Sequence, residues 1–158
     1  MGPRNFTLVI CLLIGIATSL PAQTRKTLDI YVIDVEGGNS TLFVTPQGES
    51  LLIDTGNAGA AAVRDAERIV AAAKDAKLQQ IDHLITTHWH GDHFGGMAEL
   101  AKRMPIREYI DHGPNVQPAA VADAFLKDVY PQLYAKAKHA VAKPGDKIQI
   151  AGLDVFPI

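Results

Sequence analysis

The 158-residue chain is 47% hydrophobic and 20% charged, with a formal net charge of −2 and one cysteine. That apolar content excludes a disordered chain, and the length suits one domain rather than two. The near-neutral balance gives no electrostatic footprint for a nucleic acid, and one cysteine excludes both a disulfide framework and a Cys-rich zinc site.

In chain order, the first element is a leader. Arg4 supplies a short positive segment, Phe6 to Leu20 is an apolar run, and Pro21-Ala22 offers a small-residue cleavage site. The run is shorter than the roughly 20 apolar residues of a transmembrane helix. Residues 1–22 are therefore expected to be a cleaved signal peptide. The protein would be exported to the periplasm or beyond, with no stable membrane anchor after cleavage. Cys11 lies inside this leader, so the remainder carries no thiol.

Leu28 to Val35, Ser40 to Thr45 and Leu51 to Asp54 read as three short strands. Gly37-Gly38-Asn39 and Pro46-Gln47-Gly48 between them are turn signals, which makes an antiparallel meander. From Gly59 to Leu78 alanine dominates, and Ala62, Ala66, Ile69, Val70 and Ala73 fall at helical spacing. His83 to Thr86 is a strand, Met97 to Arg103 a helix stopped by Pro105, and Arg107 to Ile110 another strand. Ala119 to Lys138 is helical, with Pro131 predicting a kink or two helices. Lys147 to Ile150 and Leu153 to Pro157 form a hairpin. A meander followed by strand–helix alternation is the signature of an α/β layered fold.

The loop Thr87-His88-Trp89-His90-Gly91-Asp92-His93-Phe94-Gly95-Gly96 holds three of the six histidines. Imidazole and carboxylate are ligands for Zn²⁺ and similar ions. In extended backbone His88 and His90 project to one side and can share an ion. Asp92 and His93 open a helical turn and can address a second. Asp54, ending an apolar strand before Thr55-Gly56, needs partners if buried, and is placed to orient a ligand histidine. Trp89 and Phe94 are expected to pack the loop down. Asp54-Thr55-Gly56 also matches the D-T-G of aspartic proteases, a reading that leaves the four-ligand loop unexplained.

Together, LLIDTG at Leu51 to Gly56 and THWHGDHFGG at Thr87 to Gly96 resemble the metallo-β-lactamase superfamily. Within it, Asp34-Val35-Glu36-Gly37-Gly38-Asn39-Ser40 is similar to the opening of the metallo-hydrolase domain of competence-type DNA-uptake proteins and their secreted relatives. Export and Thr45-Pro46-Gln47-Gly48 are also similar to the secreted β-lactamases whose motif ends in Asp-His. The resemblance implies the N-terminal portion of a four-layer αβ/βα sandwich over residues 27–158. It implies two metal ions, Zn²⁺ with Mn²⁺ or Fe²⁺ as alternatives, held by His88, His90, Asp92 and His93. Asp54 would buttress the loop, and Asp92 would handle the proton of a hydrolytic water.

The family pattern also needs a third histidine, a bridging aspartate and a late histidine. Only His112 and His139 follow His93. His112, after a strand end, is a substrate-side candidate; His139 reads as the solvated basic end of a helix. The expectation is a chain truncated at its C-terminus, acting on a small molecule rather than a nucleic acid, or a non-catalytic fragment. Substrate and oligomeric state have no signal in the sequence.

Overall fold

A computed structural model describes residues 27–158, so the expected leader lies outside the described residues. Three antiparallel strands come first, β1 (Asp29–Val32), β2 (Thr41–Val44) and β3 (Ser50–Ile53). A 3₁₀ turn (Gly59–Ala61) leads into α1 (Ala62–Asp75), followed by β4 (Ile81–Ile85). Two short helices, α2 (Gly91–Phe94) and α3 (Met97–Ala101), precede β5 (Ile106–Asp111). Then come α4 (Ala120–Ala124), a π-helical turn (Phe125–Val129), α5 (Tyr130–Tyr134) and β6 (Lys138–Val141). The hairpin β7 (Ile148–Ile150) and β8 (Leu153–Val155) forms a separate two-stranded sheet.

The six strands β1 to β6 lie side by side in chain order, antiparallel through β3 and parallel from β3 to β6. One row of partners runs Tyr31, Leu42, Leu52, Leu84, Tyr109, His139 across the sheet. Leu42, Leu52, Leu84 and Tyr109 of this row share a buried cluster with Ala66, Ile69 and Ala73 of α1 and with Met97 and Leu100 of α3. Because side chains alternate across a strand, the opposite face carries Ile30, Val32, His83 and Glu108. Ile30 and Val32 stay exposed there.

Helix α1 stops three residues before Leu78. Lys77 adopts φ +61, its N–H donates to the Lys74 carbonyl, and the Leu78 N–H donates to Ala73. This paired closure satisfies the last carbonyls of a helix while a left-handed residue turns the chain. The break expected at Pro131 is a π turn: the Tyr130 N–H reaches back to Phe125, one residue further than an α-helix allows. Proline has no N–H and crowds the preceding turn, and the wider ring relieves both.

One expectation is corrected. His139 is not on a helix end but in β6, which pairs parallel with β5 and forms the sheet edge. The helix ends by Ala135, and ladder hydrogen bonds to β5 extend the following segment, a tertiary preference that local composition does not carry. Among the described residues no helix is long and apolar enough to cross a membrane.

Candidate metal centre

Three segments meet at the carboxyl end of β4: the turn after β1, the loop after β3 and the histidine loop. Glycine makes the meeting possible. A Cβ on Gly96 would lie 2.2 Å from the Thr55 carbonyl oxygen, and one on Gly38 would lie 1.7 Å from that of Asp92. Such closeness is open only to a residue without a side chain. Thr55 N–H donates to the His93 carbonyl at 2.6 Å, and Gly95 N–H to Gly56 at 3.0 Å.

Asp54 is the anchor. It is buried, and its φ of +60 is a left-handed conformation that a non-glycine residue adopts at a cost. Its Oδ1 accepts the Thr87 backbone N–H at 2.8 Å. Its Oδ2 accepts the Thr87 hydroxyl at 2.7 Å, Asn39 Nδ2 at 3.2 Å and His93 Nδ1 at 2.7 Å. An ionised carboxylate only accepts, so His93 Nδ1 carries the proton and Nε2 keeps its lone pair. Nε2 lies 3.8 Å from Asp92 Oδ2.

His88 and His90 present a second pair. Residue 90 is extended (φ −90, ψ 145), and His88 Nε2 lies 3.0 Å from His90 Nδ1. Each ring's outer nitrogen is occupied. His88 Nδ1 faces the Thr87 hydroxyl at 3.1 Å, whose proton goes to Asp54, and His90 Nε2 donates to Gln117 Oε1 at 2.6 Å. The inner nitrogens face each other at a distance that one proton or one cation can bridge. Their separation is close to the roughly 3.3 Å between two nitrogens on a tetrahedral zinc. The donor set therefore fits a metal. Burial, then the nearby His93 and His90, lower the pKa of His88, which favours its neutral ligand form.

Each pair is short of the three protein ligands of a catalytic zinc. Among the described residues no three His, Cys, Asp or Glu side chains form a group able to hold an ion. His112 is exposed, its ring 6.1 Å from that of Trp89. Trp89 is buried edge-on to Phe94 at 5.8 Å and donates its indole N–H to the Gly113 carbonyl at 2.7 Å. It pins the ligand loop to the loop after β5.

Four positioning residues are given no role by the sequence reading. Asn39 shares Asp54, Thr87 links Asp54 to His88, and Gln117 holds His90 from a distant loop. The fourth, Asp65, is fully buried and accepts the backbone N–H of Asn57 at 2.7 Å and Arg64 Nε at 2.8 Å. Burial pushes its pKa up, but the Arg64 and Asn57 hydrogen bonds outweigh it and hold the group below the usual range. Asn39, in a turn, and Thr87, at the head of the histidine run, had a local signal; Gln117 and Asp65 are fixed by tertiary contact.

Among curated proteins, the chain is 33% identical over 99 residues to an atrochrysone carboxyl ACP thioesterase of Cryptosporiopsis sp. (56% of this chain, 29% of that protein). It is 39% identical over 56 residues to a hydroxyacylglutathione hydrolase of Rhodopseudomonas palustris (35% of this chain, 21% of that protein). The chain thus spans under a third of the length of these curated relatives. Its fold is similar to that of MEM-A1, a subclass B3 metallo-beta-lactamase from a soil metagenome library. The TM-score is 0.54 and the identity 21%, covering 80% of this chain and 48% of that one. A family model described as the metallo-beta-lactamase superfamily matches residues 33–151. With the sheet, the anchored aspartate and the paired histidines already in place, that match fixes the assignment: the chain belongs to the metallo-β-lactamase superfamily.

Proposed function

We propose that the protein is a metal-dependent hydrolase whose histidine loop supplies two ligand pairs to a dinuclear, zinc-type centre. The observation that carries this reading is the facing pair of inner nitrogens, His88 Nε2 and His90 Nδ1 at 3.0 Å, on rings whose outer nitrogens are occupied. His88 Nε2 and His90 Nδ1 would hold one ion, and Asp92 Oδ2 with His93 Nε2 the other; Mn²⁺ or Fe²⁺ suit the same donors. Among the described residues each pair lacks a third protein ligand. A bound zinc ion supplies Lewis-acid polarisation and a lowered water pKa.

The chain's own groups do the rest. Asp54 fixes the His93 tautomer and, through Thr87, the orientation of His88. Gln117 does the same for His90. Such outer partners are typically worth 10- to 100-fold in metal affinity. Asp92, half exposed at the mouth, is placed to orient water and accept its proton at Oδ2. The names of the relatives, which include thioesterases, support an acyl substrate. Chain composition supports a small molecule over a polyanion, and the leader-like residues 1–22 support export.

The test is hydrolysis of chromogenic ester, thioester and lactam probes by zinc-loaded protein. Cleavage that is lost on chelation and falls at least 100-fold in His90→Ala is expected. Cleavage indifferent to both would refute the reading.

A further inference from the structure

On the helix-facing side of the sheet edge, a recess of about 470 Å³ opens between α4–α5, the loop after β5 and β6. That volume lies within the range of small-molecule sites. None of its lining residues is one of the four loop ligands, and Trp89 forms the wall shared with the histidine loop. We infer that this recess binds a small planar aromatic carboxylate, on grounds independent of the metal reading.

The floor is a buried, saturated carboxylate. Asp111, 3% exposed, accepts Gly113 N–H at 2.6 Å on Oδ1. On Oδ2 it accepts the Tyr130 hydroxyl at 2.7 Å and His139 Nε2 at 2.8 Å. The Nε2 proton of His139 is thereby committed, leaving Nδ1 as its free ring nitrogen. The imidazole is stacked on Tyr134 with centroids 4.2 Å apart and planes at 11°. Tyr130 spends its hydroxyl on Asp111 and Trp89 its N–H on Gly113, and both are buried, so the aromatic surface left open to the recess is chiefly that of the half-buried Tyr134. Walls of this kind favour a flat π-system.

The rim decides the charge. Of its two ionic residues, Asp123 accepts a hydrogen bond from Asn115 Nδ2 at 3.4 Å. Lys127 has no ion pair or hydrogen bond among the described residues. Lys127 is carried by the π turn, and such turns recur at functional sites. An unpaired ammonium beside an aromatic slot suits a ring bearing a carboxylate.

Trp89 is the only tryptophan in the 158-residue chain, so a ¹H–¹⁵N spectrum of this chain shows one indole N–H, and it reports on this wall. Titration with 2-naphthoate in the presence of a chelator, so that no metal takes part, is expected to shift that resonance saturably. Tyr134→Ala should abolish the shift. Lys127→Gln, a surface change that leaves the fold intact, should raise the dissociation constant roughly tenfold, the loss of one charge-assisted hydrogen bond. Cyclohexanecarboxylate should bind at least tenfold more weakly than 2-naphthoate. No saturable shift with wild type, an unchanged constant in Lys127→Gln, or equal binding of the aliphatic acid would overturn the inference.

Discussion

Two histidines on one strand-and-loop run, His83 and His93, each meet carboxylates in partly buried surroundings, yet only one of them keeps an unoccupied ring nitrogen. His83 Nδ1 faces Glu108 Oε2 at 2.6 Å and Nε2 faces Glu49 Oε1 at 2.9 Å. Each ring nitrogen already has a glutamate oxygen within hydrogen-bond distance, so neither is open to a metal. His93 has one nitrogen held by Asp54 at 2.7 Å and the other open towards Asp92. The first arrangement is a tie. It fastens β4 to β5 and, since Glu49 also accepts the Ala151 N–H, to the β7–β8 hairpin. The second is a mounted ligand. Counting unoccupied nitrogens separates the two roles where residue type does not.

The largest expected effect tests the mount. Asp54→Ala removes the acceptor of four hydrogen bonds inside the fold and should cost about 3–5 kcal/mol, read as a lowered urea midpoint. A loss below about 1 kcal/mol would mean that the loop holds itself. Next comes the tie. His83→Gln leaves one of two half-buried glutamates without its donor and should cost about 1–3 kcal/mol in the same measurement. Metal affinity should not change.

How much of this contrast can be read from sequence is uneven. The meander, α1 and the ligand loop follow from alternation, helical spacing and a dense run of ligand residues. Asp54 stands out because an acid ends an apolar strand. His83 carries no mark of its partners, since Glu49 and Glu108 reach it only through strand register. His139 is misjudged for the same reason: Lys136 to Lys138 reads as a basic helix end until β5 claims the segment as a strand. Asp65 and Gln117 act across loops, where sequence distance says nothing of proximity.

A smaller effect sharpens the site side of the comparison. Asn39 donates to Asp54 Oδ2 at 3.2 Å. Asn39→Asp would set two carboxylates at that distance, raising the folded-state pKa of one of them. A folded state that holds a proton more tightly than the unfolded chain loses stability as pH rises. The variant should therefore be destabilised at pH 7 by about 1.4 kcal/mol for each unit of pKa raised, and recover towards pH 4. Denaturation midpoints at both pH values check this; equal deficits would show that the loss is not electrostatic.

The central claim is that open lone pairs, not histidines as such, define the metal loop. The most direct measurement is a zinc titration in competition with a chromophoric chelator, run on wild type, His90→Ala and His83→Gln. His83→Gln should bind zinc within about twofold of wild type, while His90→Ala should lose 100-fold or more, beyond the range of an outer partner. Equal losses in the two variants, or undiminished binding by His90→Ala, would contradict it.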